Sequence, residues 1–189
     1  MTNNSSKPKN FEEANFYFNS DKSRKNKISG VVQKSRSYEE ILDPDYKGDV
    51  LIIDDDENIL RSLSRQINSE LAFWLGTNYS PEQVKATDNS LEARQIIDNL
   101  PDYSVVLSDY EMGYHNHNGV EIAEITKDIR AKAKIGFIIY SGSFSFSYPH
   151  NEKQSLYENS IIDDEIIKPT KPSEVMNTII RTINKKTHS

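Results

Sequence analysis

A short apolar run, Val50-Leu51-Ile52-Ile53, leads straight into three carboxylates, Asp54-Asp55-Asp56. Like charges packed this closely are unfavourable unless a cation neutralises them. All-oxygen donors suit a hard divalent ion, Mg²⁺ first. A solvated acidic loop that caps the following helix is the other reading, and this stretch alone leaves both open. Further on, Asp109 follows Val105-Val106-Leu107-Ser108, Ser141 follows Ile138-Ile139-Tyr140, and Lys168 follows Ile166-Ile167. Together these residues offer one chemistry. A Mg²⁺ held by Asp55 and Asp109 would bring a phosphoryl donor close to a carboxylate, and carboxylates form acyl phosphates. Asp109 is the better nucleophile, because it stands alone on its strand while Asp54 and Asp55 share theirs. Phosphoryl transfer needs little beyond positioning and charge neutralisation. Mg²⁺ would neutralise one phosphoryl oxygen and the Lys168 ammonium another. The Ser141 hydroxyl would donate to a third, with Gly142 leaving backbone room.

Positioning those residues requires strands that end together. The run at Val50 is short and apolar throughout, as in a parallel strand buried on both faces. Leu60, Leu63, Ile67 and Leu71 recur at helical spacing, predicting a helix over Glu57–Leu75 that Gly76 ends. A weak strand at Gln83–Ala86 comes next. The following helix starts at Ser90, with Leu91, Ile96, Ile97 and Leu100 facing inward. A third strand spans Tyr103–Leu107, and a polar loop runs from Tyr110 to Asn118. Val120, Ile122, Ala123, Ile125 and Ile129 mark a third helix, and Ile135–Tyr140 a fourth strand. Residues 143–160 contain Pro149 and read as helical only over Gln154–Glu158. Glu165–Ile167 is a fifth strand and Pro172 to about Lys186 the last helix. Strands alternating with helices five times imply an α/β fold, a doubly wound parallel sheet with right-handed crossovers. Such a sheet gathers all its carboxyl ends at one edge, the ligand crevice of open α/β sheets.

The chain of 189 residues suits one domain with an extension, and we divide it into an extension over 1–48 and a domain over 49–189. The extension is expected to be part tether and part short helix, at Phe11–Phe18 and around Ser37–Leu42. Its net charge is +2 against −8 for the domain, and Asp21–Arg36 carries six basic residues and one acidic. The acidic domain is not expected to bind nucleic acid. No apolar run reaches the roughly 20 residues of a membrane span, no apolar leader opens the chain, and cysteine is absent. A cytoplasmic protein without membrane contact is the expectation.

The constellation resembles the receiver domain of two-component response regulators. The matching pieces are Ile53-Asp54-Asp55, Ser108-Asp109 with Met112 behind it, Asn118-Gly119, Tyr140-Ser141-Gly142 and Lys168-Pro169, in the family's order over about residues 49–186. The resemblance implies the five-stranded flavodoxin-like sheet in order 2-1-3-4-5. It makes Asp109 the phosphoacceptor, Asp54 and Asp55 the acid pair with Asp55 the more direct Mg²⁺ ligand, and Glu111 a backbone-carbonyl ligand. Ser141 becomes the switch hydroxyl and Lys168 the phosphoryl contact, with a cis peptide at Lys168-Pro169. Implied too are a bacterial phosphorelay and a sensor histidine kinase or phosphotransfer protein as donor; a homodimer formed on phosphorylation is a further expectation. The chain is either a stand-alone receiver or carries an output domain beyond Ser189.

Three features depart from the family pattern. Met112 is followed by Gly113 rather than proline. The loop Tyr114-His115-Asn116-His117 is an insertion. Glu165 occupies the position of the aromatic switch, so Ser143–Tyr148 is expected to move instead of a ring. Two other classes fit part of the sequence. A haloacid-dehalogenase-like phosphatase would use Asp54-x-Asp56 with Asp163-Asp164 as its late acids, but its lysine precedes those acids. A pseudo-receiver would bind a partner without phosphorylation. A metal pair at His115 and His117, and a partner surface at Phe73-Trp74, are weaker readings.

Overall fold

The computed structural model describes residues 42–43, 45–113, 117–144 and 148–188. In chain order the elements are β1 (Val50–Ile53), α1 (Glu57–Leu75), β2 (Val84–Thr87), α2 (Ser90–Ile97), β3 (Val105–Ser108), α3 (Gly119–Ile125), α4 (Lys127–Lys132), β4 (Gly136–Ser141), α5 (His150–Glu158), β5 (Asp164–Ile167) and α6 (Pro172–Thr187). The five strands pair in the order 2-1-3-4-5 and every pairing is parallel. This is the sheet expected from the sequence. The expected helices at Phe11–Phe18 and around Ser37 lie outside the described residues.

Alternation along the strands sorts the core into two layers. Val50, Ile52, Val105, Leu107, Ile138 and Tyr140 face α1 and α6, meeting Leu63, Ile67 and Leu71 of α1 and Val175, Ile179 and Ile183 of α6. Leu51, Ile53, Val106, Phe137 and Ile139 face the other way, onto Ala93 and Ile97 of α2, Val120 and Ile122 of α3 and Leu156 of α5. Leu42 and Tyr46 also belong to the first layer, so packing begins upstream of Asp49. The Tyr46 hydroxyl donates to Tyr103 O at 3.2 Å, which ties this segment to the amino end of the sheet.

Helix α1 ends where the sequence predicts, with Gly76 at φ 54°, a left-handed conformation that side chains resist. Two inward assignments are corrected. Leu91 is 66% exposed; Ser90, Ala93 and Ile97 face the core instead. Ile125 is exposed because the helix breaks at Thr126. Thr126 takes the inward place, its hydroxyl donating to Ile122 O at 2.7 Å and accepting from Arg130 Nε at 3.2 Å. Helix α5 starts at His150, earlier than Gln154, because Pro149 precedes the helix rather than interrupting it. It buries only Leu156, which explains its poor periodicity. Among the described residues, no helix is long and apolar enough to cross a membrane.

Candidate functional site

Asp54, Asp109, Ser141 and Lys168 stand at the carboxyl ends of β1, β3, β4 and β5. The ladder continues past the strands to fix them. The Asp54 amide donates to Thr87 O (3.2 Å), that of Asp109 to Ile53 O (2.8 Å) and that of Lys168 to Ser141 O (3.1 Å). The site thus depends on strand register, since a slip of one residue would turn each of these side chains to the other face of the sheet.

The three acids after β1 have separate duties. Asp54 is buried, and its Oδ1 accepts the Asp56 amide at 2.9 Å. Asp55 is exposed, and its Oδ2 accepts the Gly113 amide at 3.0 Å. Asp56 caps α1, accepting the Asn58 amide at 2.8 Å. The cation-site and helix-cap readings of this stretch are therefore divided among its residues. Carboxylate oxygens of Asp54, Asp55 and Asp109 all lie within 4.8 Å of one another. Hard oxygen donors in small number fit Mg²⁺, which keeps several of its waters.

Lys168 closes the cluster from β5. Its ammonium lies 2.5 Å from Asp54 Oδ2 and 3.1 Å from Asp109 Oδ2. Burial pushes the Asp54 carboxyl above its usual range, against the Lys168 ammonium and the Asp56 amide, which pull it down. Burial also opposes the charge on Lys168, but its bonds to Asp54 and Asp109 outweigh that and hold the ammonium above the ordinary lysine value. The Lys168–Pro169 peptide bond is cis.

Ser141 is buried at the end of β4, and its Oγ accepts the Ser143 amide at 3.3 Å. On the far side, the Asp109 Oδ1 accepts the Tyr110 amide at 2.7 Å. Gly119 lets the start of α3 approach Asp109. A Cβ there would lie 2.3 Å from the Asp109 carbonyl oxygen, so no other residue fits without moving the backbone. Glu111 has an exposed side chain in the loop between Tyr110 and Gly113.

The other candidates separate from this site. Asp163 pairs with Lys186 at 2.7 Å and Asp164 with Arg181 at 2.5 Å, at the amino end of β5, away from the three acids. His117 sits 3.5 Å from Glu121, whereas His115 lies outside the described residues. Phe73 is 57% exposed, and Trp74 packs partly buried against the core. Reading the sequence missed three contributors. The Gly113 amide could be suspected from the glycine that replaces proline, since proline has no N–H to give. The Lys153 ammonium, 2.5 Å from Glu165, had no sequence signal. Tyr140 was part of a motif, but nothing in its spacing announced that its ring would lie against Lys168.

The sequence matches no family model and no curated protein. The fold, in contrast, matches solved structures. A CheY-like response regulator receiver domain protein from Methanospirillum hungatei is 22% identical with a TM-score of 0.58, over 76% of this chain and 98% of that one. A chemotaxis response regulator from Vibrio cholerae is 17% identical with a TM-score of 0.54, over 72% of this chain and 99% of that one. An adenylate cyclase chain from Rhodopirellula baltica is 17% identical with a TM-score of 0.58, over 76% of this chain and 92% of that one. At these identities the likeness is one of fold: the chain has the CheY-like receiver fold.

Proposed function

We propose that this chain is a phosphoacceptor receiver of a two-component system, a signalling protein that accepts a phosphoryl group on Asp109 from a histidine kinase or phosphotransfer protein. The observation that carries the reading is the single ammonium of Lys168 bridging Asp54 and Asp109 across two strand ends. Asp54, Asp55 and Asp109, with the Glu111 backbone carbonyl, would hold Mg²⁺. Bound there, the ion supplies positive charge to phosphoryl oxygens that would otherwise repel the carboxylates. An Asp109 carboxylate oxygen attacks phosphorus and the bond to the donor breaks. With phosphohistidine the leaving imidazole nitrogen keeps the electron pair and takes up a proton; with acetyl phosphate the leaving group is acetate. Lys168 neutralises one phosphoryl oxygen and the Ser141 hydroxyl donates to another. The assignment of Asp56 to a helix cap, and of Asp163 and Asp164 to remote ion pairs, favours this reading over a phosphatase acting through Asp54-x-Asp56.

The test is mass spectrometry of the intact chain after acetyl phosphate and Mg²⁺, with Asp109→Asn as control. One added phosphoryl group, lost in the variant, is the expected result. A group retained in Asp109→Asn moves the site elsewhere. No label and no Mg²⁺ binding would leave a pseudo-receiver that binds a partner by surface alone. We infer further that phosphorylation drives self-association in the cytoplasm. Sizing chromatography with and without beryllofluoride, a phosphoryl mimic, tests this; an unchanged elution volume refutes it.

A further inference from the structure

The Lys168 ammonium has a third neighbour besides its two carboxylates: its Nζ lies 4.9 Å from the centre of the Tyr140 ring. Tyr140 precedes Ser141 on β4, and alternation turns its ring to the face of the sheet that packs on α1 and α6. Tyr140 is 9% exposed, and the Lys168 side chain only 15%. Attraction between a cation and a ring face strengthens as water is excluded. The two carboxylates cannot hold Lys168 unchanged through the chemistry, because Asp109 becomes the acyl phosphate and Asp54 belongs to the acid pair that would hold Mg²⁺. The ring is the one neighbour of the three that the reaction leaves as it was. An aliphatic residue at 140 would fill core volume but offer no ring face.

We propose that Tyr140 is a positioning residue whose ring face keeps the Lys168 ammonium aimed at Asp109 while its carboxylate partners are engaged elsewhere. The proposal rests on the phosphoacceptor reading of the site. It assigns the work to the ring, not to the phenol hydroxyl, so phenylalanine should replace tyrosine and leucine should not.

The test uses the full chain as wild type, Tyr140→Phe, Tyr140→Leu, Lys168→Met and the double variant Tyr140→Leu/Lys168→Met. The ring current should move the Lys168 side-chain proton resonances upfield in wild type and Tyr140→Phe but not in Tyr140→Leu, with no phosphorylation needed. Labelling by acetyl phosphate should slow about three- to tenfold in Tyr140→Leu and stay within about twofold in Tyr140→Phe. Placed on Lys168→Met, Tyr140→Leu should add no further loss, since a residue acting through Lys168 has nothing left to act on. Mg²⁺ affinity should be unchanged in Tyr140→Leu, whereas a general collapse of the site would weaken it. Equal losses in Tyr140→Phe and Tyr140→Leu, a full additional loss on Lys168→Met, or unshifted Lys168 protons in wild type would each overturn the proposal alone. A wild-type chain that takes no phosphoryl group overturns the underlying reading and the proposal with it.

Discussion

Lys153 Nζ lies 2.5 Å from Glu165 Oε1, joining α5 to the strand position where the receiver resemblance places an aromatic ring. The same ammonium lies 5.3 Å from the centre of the Phe144 ring, just beyond the Ser141 loop. Phe144 in turn packs at 5.2 Å from Tyr110, the residue after Asp109. An ionised carboxylate does not swing into an apolar slot as a ring does. The two ends of the site are instead joined by an ion pair and an aromatic contact. Lys153→Met should leave Glu165 partly buried and unpaired, lowering stability by about 1–2 kcal/mol. The double variant Lys153→Met/Glu165→Met should recover most of that. Urea unfolding of the three chains is the measurement, and an unchanged midpoint in Lys153→Met would show that the pair holds nothing together.

Lys168→Met should have a larger effect, because it leaves Asp54 and Asp109 facing each other without a cation. A loss of about 3 kcal/mol is expected, the scale of an uncompensated buried charge. Saturating Mg²⁺ should restore part of it by replacing the missing positive charge. Thermal unfolding with and without Mg²⁺ checks both statements. Equal stabilisation of Lys168→Met and wild type by Mg²⁺ would argue that Lys168 and the ion do not share a role.

The fold was legible because its strands announce themselves. The apolar runs of β1, β3 and β4, bounded by turns, leave few alternatives to buried parallel strands, and each leads into a residue that stands out chemically, whereas β2, with Lys85, gave only a weak signal. Helices with a wide apolar stripe, α1 and α6, were placed to within a residue or two. Leu91 and Ile125 misled for opposite reasons. Leu91 fits a helical stripe, but small residues, Ser90 and Ala93, allow α2 to approach the sheet in its place. Ile125 continues a periodicity that the break at Thr126 interrupts. At the candidate site, residue type and strand-end position pointed to Asp54, Asp55, Asp109, Ser141 and Lys168, and the fold brings them to one edge of the sheet. The neighbours that hold them act through a backbone amide at Gly113, a ring face at Tyr140 and the missing side chain of Gly119. Such contributions depend on tertiary approach, which spacing along one chain does not encode.

Asp55 differs from Asp54 in being exposed, with the Gly113 amide as its hydrogen-bond partner. Asp55→Ala should therefore remove a Mg²⁺ ligand at little cost to the fold. Stability is expected to stay within about 0.5 kcal/mol of wild type, or to rise slightly as like-charge repulsion is relieved. Phosphorylation by acetyl phosphate should be abolished. Far-ultraviolet circular dichroism with a Mg²⁺ titration separates the two effects, and normal labelling of Asp55→Ala would contradict the metal assignment.

The pH dependence of metal binding should be set by Asp54. Burial raises its carboxyl above the ordinary value of 3.8. The folded chain therefore binds this proton more tightly than the unfolded chain. Without metal, the resulting stabilisation is complete below the unfolded value and is lost as pH rises through the folded one. Mg²⁺ acts with the opposite slope, because it competes with the same proton for the same carboxylate. Its affinity should begin to fall on acidification while the pH is still above the ordinary carboxylate range. The rise in Tm produced by a fixed Mg²⁺ concentration follows that affinity. It should be full near neutral pH and shrink progressively on acidification towards about pH 4. Asp54→Asn, which has no proton to lose, should show a smaller Mg²⁺ increment with a flatter pH profile. An increment in wild type that holds constant until the ordinary carboxylate range is reached would mean that Asp54 takes no part in holding the ion.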